Sequence, residues 1–273
     1  MLLFAPLMPL TTEPSARPNL AERAAERWRP PLLDPPDTAG RRWAAAVRRF
    51  FDLQAGSIWT DVAAGAGGAR GKVVDVGCGA QPYRALFPAG TEYVGLDIAQ
   101  AGERFGYAQP DTVFFDGGAW PERTRDADFV LCTETLEHVL DPTVLLREAH
   151  AALRPGGRLL LTVPFAARWH FIPHDFWRFT PSSLSHLLQS AGFKNVVVWA
   201  RGNALTVACY KVMALFLPLL FPQDAKGAAR LGLRLLSLPA IPLFVTLAGV
   251  ANLSLRANGG DDCLGFTVTA ERP

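Results

Sequence analysis

The sequence predicts an α/β fold: a doubly wound, seven-stranded sheet with helices on both faces and an apolar helical insert before the last strand. Three observations point there. From Lys72 onward, short runs that are apolar throughout alternate with helical segments, the pattern of a parallel sheet buried on both faces. The first run enters a tight turn, Gly77-Cys78-Gly79, where sheets of this kind open a ligand crevice. A chain of 273 residues, 49% of them hydrophobic, is long enough for one large core. Only 19% of residues are charged. That lies below the ~25% of ordinary globular chains and excludes a disordered chain or a charge-laced coiled coil. A net charge of +2 offers no broad basic face, so nucleic acid is not an expected partner.

The elements follow in order. Residues 11–40 are punctuated by prolines and read as an irregular lead-in, with a short helix over Asn19–Trp28 capped by Asn19. Arg41–Leu53 reads as a helix with Trp43, Val47, Phe50 and Phe51 on one face. Gly65–Gly71 then breaks the chain. Strands are expected at Lys72–Val76, Glu92–Asp97, Thr112–Phe115, Asp128–Cys132 and Arg158–Pro164. Helices are expected at Pro142–Leu153, started by Asp141-Pro142, and at Thr180–Ala191, with Thr180 as cap. Asn195–Ala200 and Cys263–Ala270 supply the last two strands. Four regions result: a lead-in over 1–56, a core over 57–202, the insert over 203–255 and a returning strand over 256–273.

The chemistry concentrates at the strand ends. Gly77 and Gly79 let the backbone turn sharply beside a ligand. Asp75 precedes the turn, and Asp97 closes the next strand 22 residues later, where a ribose-binding carboxylate belongs. Pro82 occupies the place of the third glycine in a dinucleotide fingerprint. Two acids with a shortened glycine motif suit a ligand with a ribose and an ammonium group but no pyrophosphate. A nicotinamide oxidoreductase is disfavoured for the same reason.

At this point the chain resembles the class I S-adenosylmethionine-dependent methyltransferases, and in particular their type-11 and ubiquinone-biosynthesis-like branch, whose core is Rossmann-like. The resemblance runs over roughly residues 72–200 and keeps five motifs in order. Val73–Gly79 looks like the glycine-rich motif, Gly95-Leu96-Asp97 like the ribose-binding strand end, and Phe115-Asp116 like the strand end that contacts adenine. Asp128–Val139 and Leu153–Val163 resemble the fourth strand with its Leu-Glu-His segment and the fifth strand with its Pro-Gly-Gly turn. The resemblance implies S-adenosylmethionine (SAM) as cofactor, held by Asp75, Gly77, Cys78, Gly79, Asp97, Ile98, Asp116, Gly117 and Thr133.

It also implies a metal-independent, in-line methyl transfer to a small or lipid-linked acceptor, with oxygen as the favoured acceptor atom. Such a displacement relies on positioning and desolvation, and needs a base only if the acceptor must lose a proton. Three residues are base candidates or their helpers. His138 has Glu134 four residues before it, on the same face if the segment is helical. In Trp169–Thr180, five aromatics interleave with His170, His174, Asp175 and Arg178. There His174 reads as a base oriented by Asp175. Packing roles stand beside both readings: His138 beneath the cofactor loop, and the second segment clamped by Asp175–Arg178. No residues have metal-site spacing, because Pro173 interrupts the His170/His174 pair. A non-catalytic cofactor-binding or scaffold protein of the same fold is the alternative function.

The hydrophobic excess sits in the insert. Leu205–Pro222 and Leu231–Leu255 are strongly apolar, and Leu235–Leu255 has no charged residue over 21 positions. Pro239 and Pro242 interrupt it, and a single span would strand the last β-strand across a bilayer from its sheet. Helices covering a substrate, with peripheral membrane contact open to them, are the favoured reading, and a two-pass or re-entrant hairpin is the other. Four dispersed cysteines point to reduced thiols and a cytoplasmic protein, membrane-associated if the insert meets lipid. Met1–Leu10 is apolar but has no basic residue before it, so no secretory signal is expected.

Overall fold

The computed structural model describes residues 20–22, 35–102, 111–220, 237–257 and 259–273, with isolated positions 227, 231, 232 and 235. Of the helix expected at Asn19–Trp28, a single turn at Leu20–Glu22 falls within these residues, and Met1–Leu10 falls outside them.

Among the described residues, two α-helices precede the sheet: α1, Ala39–Phe51, and α2, Leu53–Ala66. Thr38 and Asp52 cap them, their side chains accepting from the Arg41 and Ala55 amides. The second helix was not expected. Its sequence, rich in Ala and Gly, lacks a clean apolar stripe, and it crosses the expected boundary at residue 56. Its buried side Ile58, Val62 and Ala66 packs on the sheet.

The strands are β1 Lys72–Val76, β2 Glu92–Ile98, β3 Val113–Phe115, β4 Ala127–Thr133, β5 Leu153–Pro164, β6 Lys194–Arg201 and β7 Gly265–Glu271. They form one seven-stranded sheet in the order β3-β2-β1-β4-β5-β7-β6. β7 runs antiparallel between β5 and β6, and the other pairings are parallel. Alternation through β1, β4 and β5 sends Val73, Phe129, Leu131 and Leu160 toward α2. Val74, Val130, Cys132 and Leu161 face the opposite side, where α3, Pro142–Ala152, and α4, Pro181–Ser190, cover them. Both helices start as expected. Asp141 accepts from Thr143 N at 2.9 Å, and Thr180 and Ser183 form a reciprocal capping box.

Among the described residues of the insert, two helices pack together, α5, Ala204–Leu220, and α6, Ala240–Ser254. Asn203 ties its two ends together: Oδ1 accepts from Thr206 N and from Ser254 Oγ, while Nδ2 donates to Ser254 O. Val207, Cys209 and Ala251 pack on Leu53 and Leu264, and Phe244 stacks on Phe51 at 5.5 Å. Among the described residues, no helix is long and apolar enough to cross a membrane. The strand after the insert returns to the centre of the sheet's second half, as the argument against a single span requires.

Candidate functional site

The sheet order reverses between β1 and β4, and the predicted residues gather at the carboxyl ends of β1 and β2 beside that point. Gly77 has φ +67° and Gly79 φ +51°. A Cβ on Gly77 would lie 2.2 Å from Thr135 Oγ1, so only glycine lets the β1 turn pass beneath the post-β4 segment. Asp97 Oδ2 accepts from Gly79 N at 3.0 Å and Oδ1 from Ile98 N at 2.8 Å, which draws the two strand ends together. Burial raises the Asp97 carboxyl above its ordinary range despite those two bonds.

Asp75 is 1% exposed. Tyr93 donates its phenolic proton to Asp75 Oδ2, and Oδ1 has no hydrogen-bond partner. Burial pushes this carboxyl up to about 7, with Asp97 adding to the shift and the Tyr93 bond opposing it. Cys78 turns its thiol toward Thr112, 3.8 Å away, and burial raises that thiol. Asp116 is exposed and folds back to accept from Gly118 N at 3.0 Å, while Gly117, at φ +92°, borders open space. Thr133 is half-buried, and its carbonyl accepts from Thr135 Oγ1 at 3.0 Å.

A second group forms where the post-β5 loop docks on the segment after β4. Leu136–His138 is a 3-10 turn and Glu134 has φ +48°, so Glu134 and His138 do not share a helical face. Glu134 instead pairs with the buried Arg201 guanidinium at 2.8 Å. His138 Nδ1 lies 2.7 Å from the His174 carbonyl, and its Nε2 lies 3.6 Å from Glu137 Oε1. Burial and the neighbouring His170 lower His138 to about 4. Glu137 is fully buried with neither carboxylate oxygen hydrogen-bonded, and burial together with Glu134 pushes it well up.

The expectation that Asp175 orients His174 is corrected. Asp175 receives both Arg178 Nη groups, at 2.6 and 2.8 Å, and its Oδ2 lies 3.0 Å from His170 Nδ1. The fork geometry of the guanidinium matches the carboxylate better than a ring one residue away could, and it holds Asp175 well below the usual carboxylate range. What His174 contributes to the His138 contact is its backbone carbonyl. His138 and His170 meet edge to face at 5.0 Å. Together Glu137, His138 and His170 bring one potential ligand atom each to within 4.8 Å of one another.

A profile described as a methyltransferase domain matches residues 38–198, more than half of the chain. The chain belongs to the class I S-adenosylmethionine-dependent methyltransferase family. Ubiquinone biosynthesis O-methyltransferase of Bordetella avium is 30% identical over 160 residues, covering 54% of this chain and 64% of that protein. The enzyme of the same name from Acinetobacter baylyi is 27% identical over 163 residues, with 50% and 68% covered. The chain thus spans less than two thirds of the Bordetella relative. A SAM dependent methyltransferase from Archaeoglobus fulgidus is a looser likeness, at TM-score 0.45 and 17% identity over 84% of this chain and 93% of that one.

The crevice of this family member fits the family's cofactor on two observations. A buried carboxylate oxygen, Asp75 Oδ1, lies unpartnered beside the glycine turn, and Gly117 leaves open space at the β3 end. Sequence reasoning missed Tyr93, Thr135, Glu137 and Arg201. Tyr93 sits inside β2 and Arg201 ends β6, each acts on residues distant in sequence, and no sequence spacing reports such a contact. Glu137 was the legible one: it directly precedes His138 in the Leu-Glu-His segment.

Proposed function

We propose that this chain transfers the methyl group of SAM to an oxygen of a small or lipid-linked acceptor. The observation that carries the reading is the convergence of two buried carboxylates, Asp75 and Asp97, on one glycine turn at the sheet's switch point. In this reading Asp97 and Ile98 hold the ribose, and Asp75 with Gly77, Cys78 and Gly79 lines the cofactor's charged tail. Asp116, Gly117 and Thr133 flank the adenine and the reacting end. When bound, SAM supplies an electrophilic methyl on a sulfonium. The chain's own residues orient the acceptor and exclude water. The ubiquinone-pathway names of the relatives support oxygen as the acceptor atom.

The His138–His170 pair is the assigned proton acceptor. The His174 carbonyl fixes the His138 ring, and Asp175 with the Arg168 carbonyl fixes His170. His174 acts through its backbone and Asp175 as the orienting acid. One observation favours a second reading: the buried Glu137 carboxylate, which makes no hydrogen bond, lies beside the two rings and suits a divalent cation that would lower the acceptor's pKa.

Calorimetry with SAM tests the cofactor site. Asp97→Ala is expected to weaken binding by about 1–3 kcal/mol through lost charge-assisted hydrogen bonds. No heat with the wild-type chain would overturn the reading. Transfer from labelled SAM to lipid and aqueous extracts identifies the acceptor class, and repeating it after chelation separates histidine-only from cation-assisted transfer. Binding without transfer to any fraction would favour the non-catalytic alternative.

A further inference from the structure

Helix α1 is amphipathic by sequence, yet none of its residues is buried. Trp43, Val47 and Phe50 recur at helical spacing on one side and all three are exposed, Trp43 by 72%. An apolar stripe of this kind normally faces a core. Here the end of α1 leads instead onto the insert. Asn252 Nδ2 on α6 donates to the Phe50 carbonyl at 2.9 Å, and Phe50 meets Phe51, which stacks on Phe244.

The insert continues this surface. Leu205, Val212 and Leu215 form an exposed stripe on α5, and Leu243, Val250 and Leu253 are exposed on α6. Helix α6 has no charged side chain, and its polar side chains Thr246 and Asn252 bond to backbone carbonyls. Thr246 Oγ1 donates back to Pro242 O at 2.9 Å, and Asn252 also donates to Ala248 O at 2.7 Å. On α5, the Lys211 ammonium donates to the Ala166 carbonyl. A surface that satisfies its own polar groups and leaves leucine and tryptophan side chains outward fits an apolar neighbour, because water gains no hydrogen bonds there.

Charge identifies that neighbour. The described residues within 37–52 and 203–255 hold five Lys/Arg (Arg41, Arg42, Arg48, Arg49 and Lys211) against two Asp (Asp37 and Asp52). Helix α1 has four arginines and no acid; Arg41 and Arg48 pair with the flanking Asp37 and Asp52 at 2.7 and 3.4 Å, and residues 37–52 keep a net charge of +2. A second copy docked through the same face would bring a positive rim against its own like. An anionic bilayer complements it, since apolar side chains enter the interface while arginines meet lipid phosphates.

We propose that α1, α5 and α6 form a face that seats the protein on an anionic lipid surface. This face lies largely outside the crevice and does not depend on the methyl-transfer reading. The test is cosedimentation of the full chain with vesicles of phosphatidylcholine alone or mixed with phosphatidylglycerol. Sedimentation with the mixed vesicles and its loss at high salt are expected. Leu243→Glu with Leu253→Glu should weaken partition by about tenfold or more, and Arg42→Gln by about fivefold. Both variants change exposed positions, so circular dichroism and SAM calorimetry should match wild type. Failure to sediment with either vesicle, equal partition to both, or a concentration-dependent dimer abolished by the two glutamates would each overturn the proposal. SAM calorimetry on the same preparation reports the methyl-transfer reading separately.

Discussion

Asp75 shows how one buried acid couples ligand and proton. Burial raises it to about 7, so near neutral pH it is divided between its two forms. A cationic cofactor alongside favours the carboxylate and should expel a proton. SAM binding at pH 7 is therefore expected to release about half a proton, falling toward zero near pH 9. Calorimetry in buffers of different ionisation enthalpy measures it, and Asp75→Asn should abolish the release. In the free protein the sign is fixed by the raised value. Its contribution to stability is full below the unfolded range near 4 and is lost as pH rises through about 7. His138 acts in the opposite sense. Its folded value of about 4 lies below the unfolded one, so its contribution is present above about 6.5 and is lost as pH falls toward 4. His138→Gln should shrink the stability lost between pH 7 and pH 5 by on the order of 2 kcal/mol, read from denaturant midpoints at the two pH values.

Among the elements, β6 carries more than its pairing. Arg201 at its end is buried and joins three others: Glu134 after β4, the Val163 carbonyl on β5 and Ser57 on α2. Arg201→Met removes these bonds and leaves Glu134 without its cation. Because Glu134 is only partly buried, the expected cost is about 2–3 kcal/mol, below that of breaking a fully buried pair. A drop in urea midpoint with an unchanged slope would show it. The elements also show where periodicity is informative. Lys72–Val76 has the predicted bounds, and the caps Asp141 and Thr180 act as their residue types require. Leu153–Pro164 begins five residues earlier than expected, because the Pro-Gly-Gly turn is drawn into the ladder beside Ala127. Helix α1 is helical as its pattern demands, but the pattern could not say whether its apolar side would find a core.

At the scale of the whole molecule, local patterns determined a good deal. Buried strands in alternation with helices specified the sheet, because a strand covered on both faces must be apolar throughout. The turn Gly77-Cys78-Gly79 and the acids at 75 and 97 marked the crevice, because their backbone and charge requirements are met within a few residues. The hydrophobic excess was traced to residues 203–255 by composition alone. Tertiary structure decided what depends on contacts distant in sequence. It placed β7 antiparallel between β5 and β6, matched Asp175 to Arg178 and His170, and set Arg201 against Glu134. It gathered Glu137, His138 and His170 from two loops, and laid α1 against α6 through Phe51 and Phe244 while leaving Trp43, Leu243 and Leu253 outward. The reason is common to all of these. Periodicity and capping report the energy of a chain with its near neighbours, whereas partner choice and burial report a sum over surfaces that meet only once the sheet has closed.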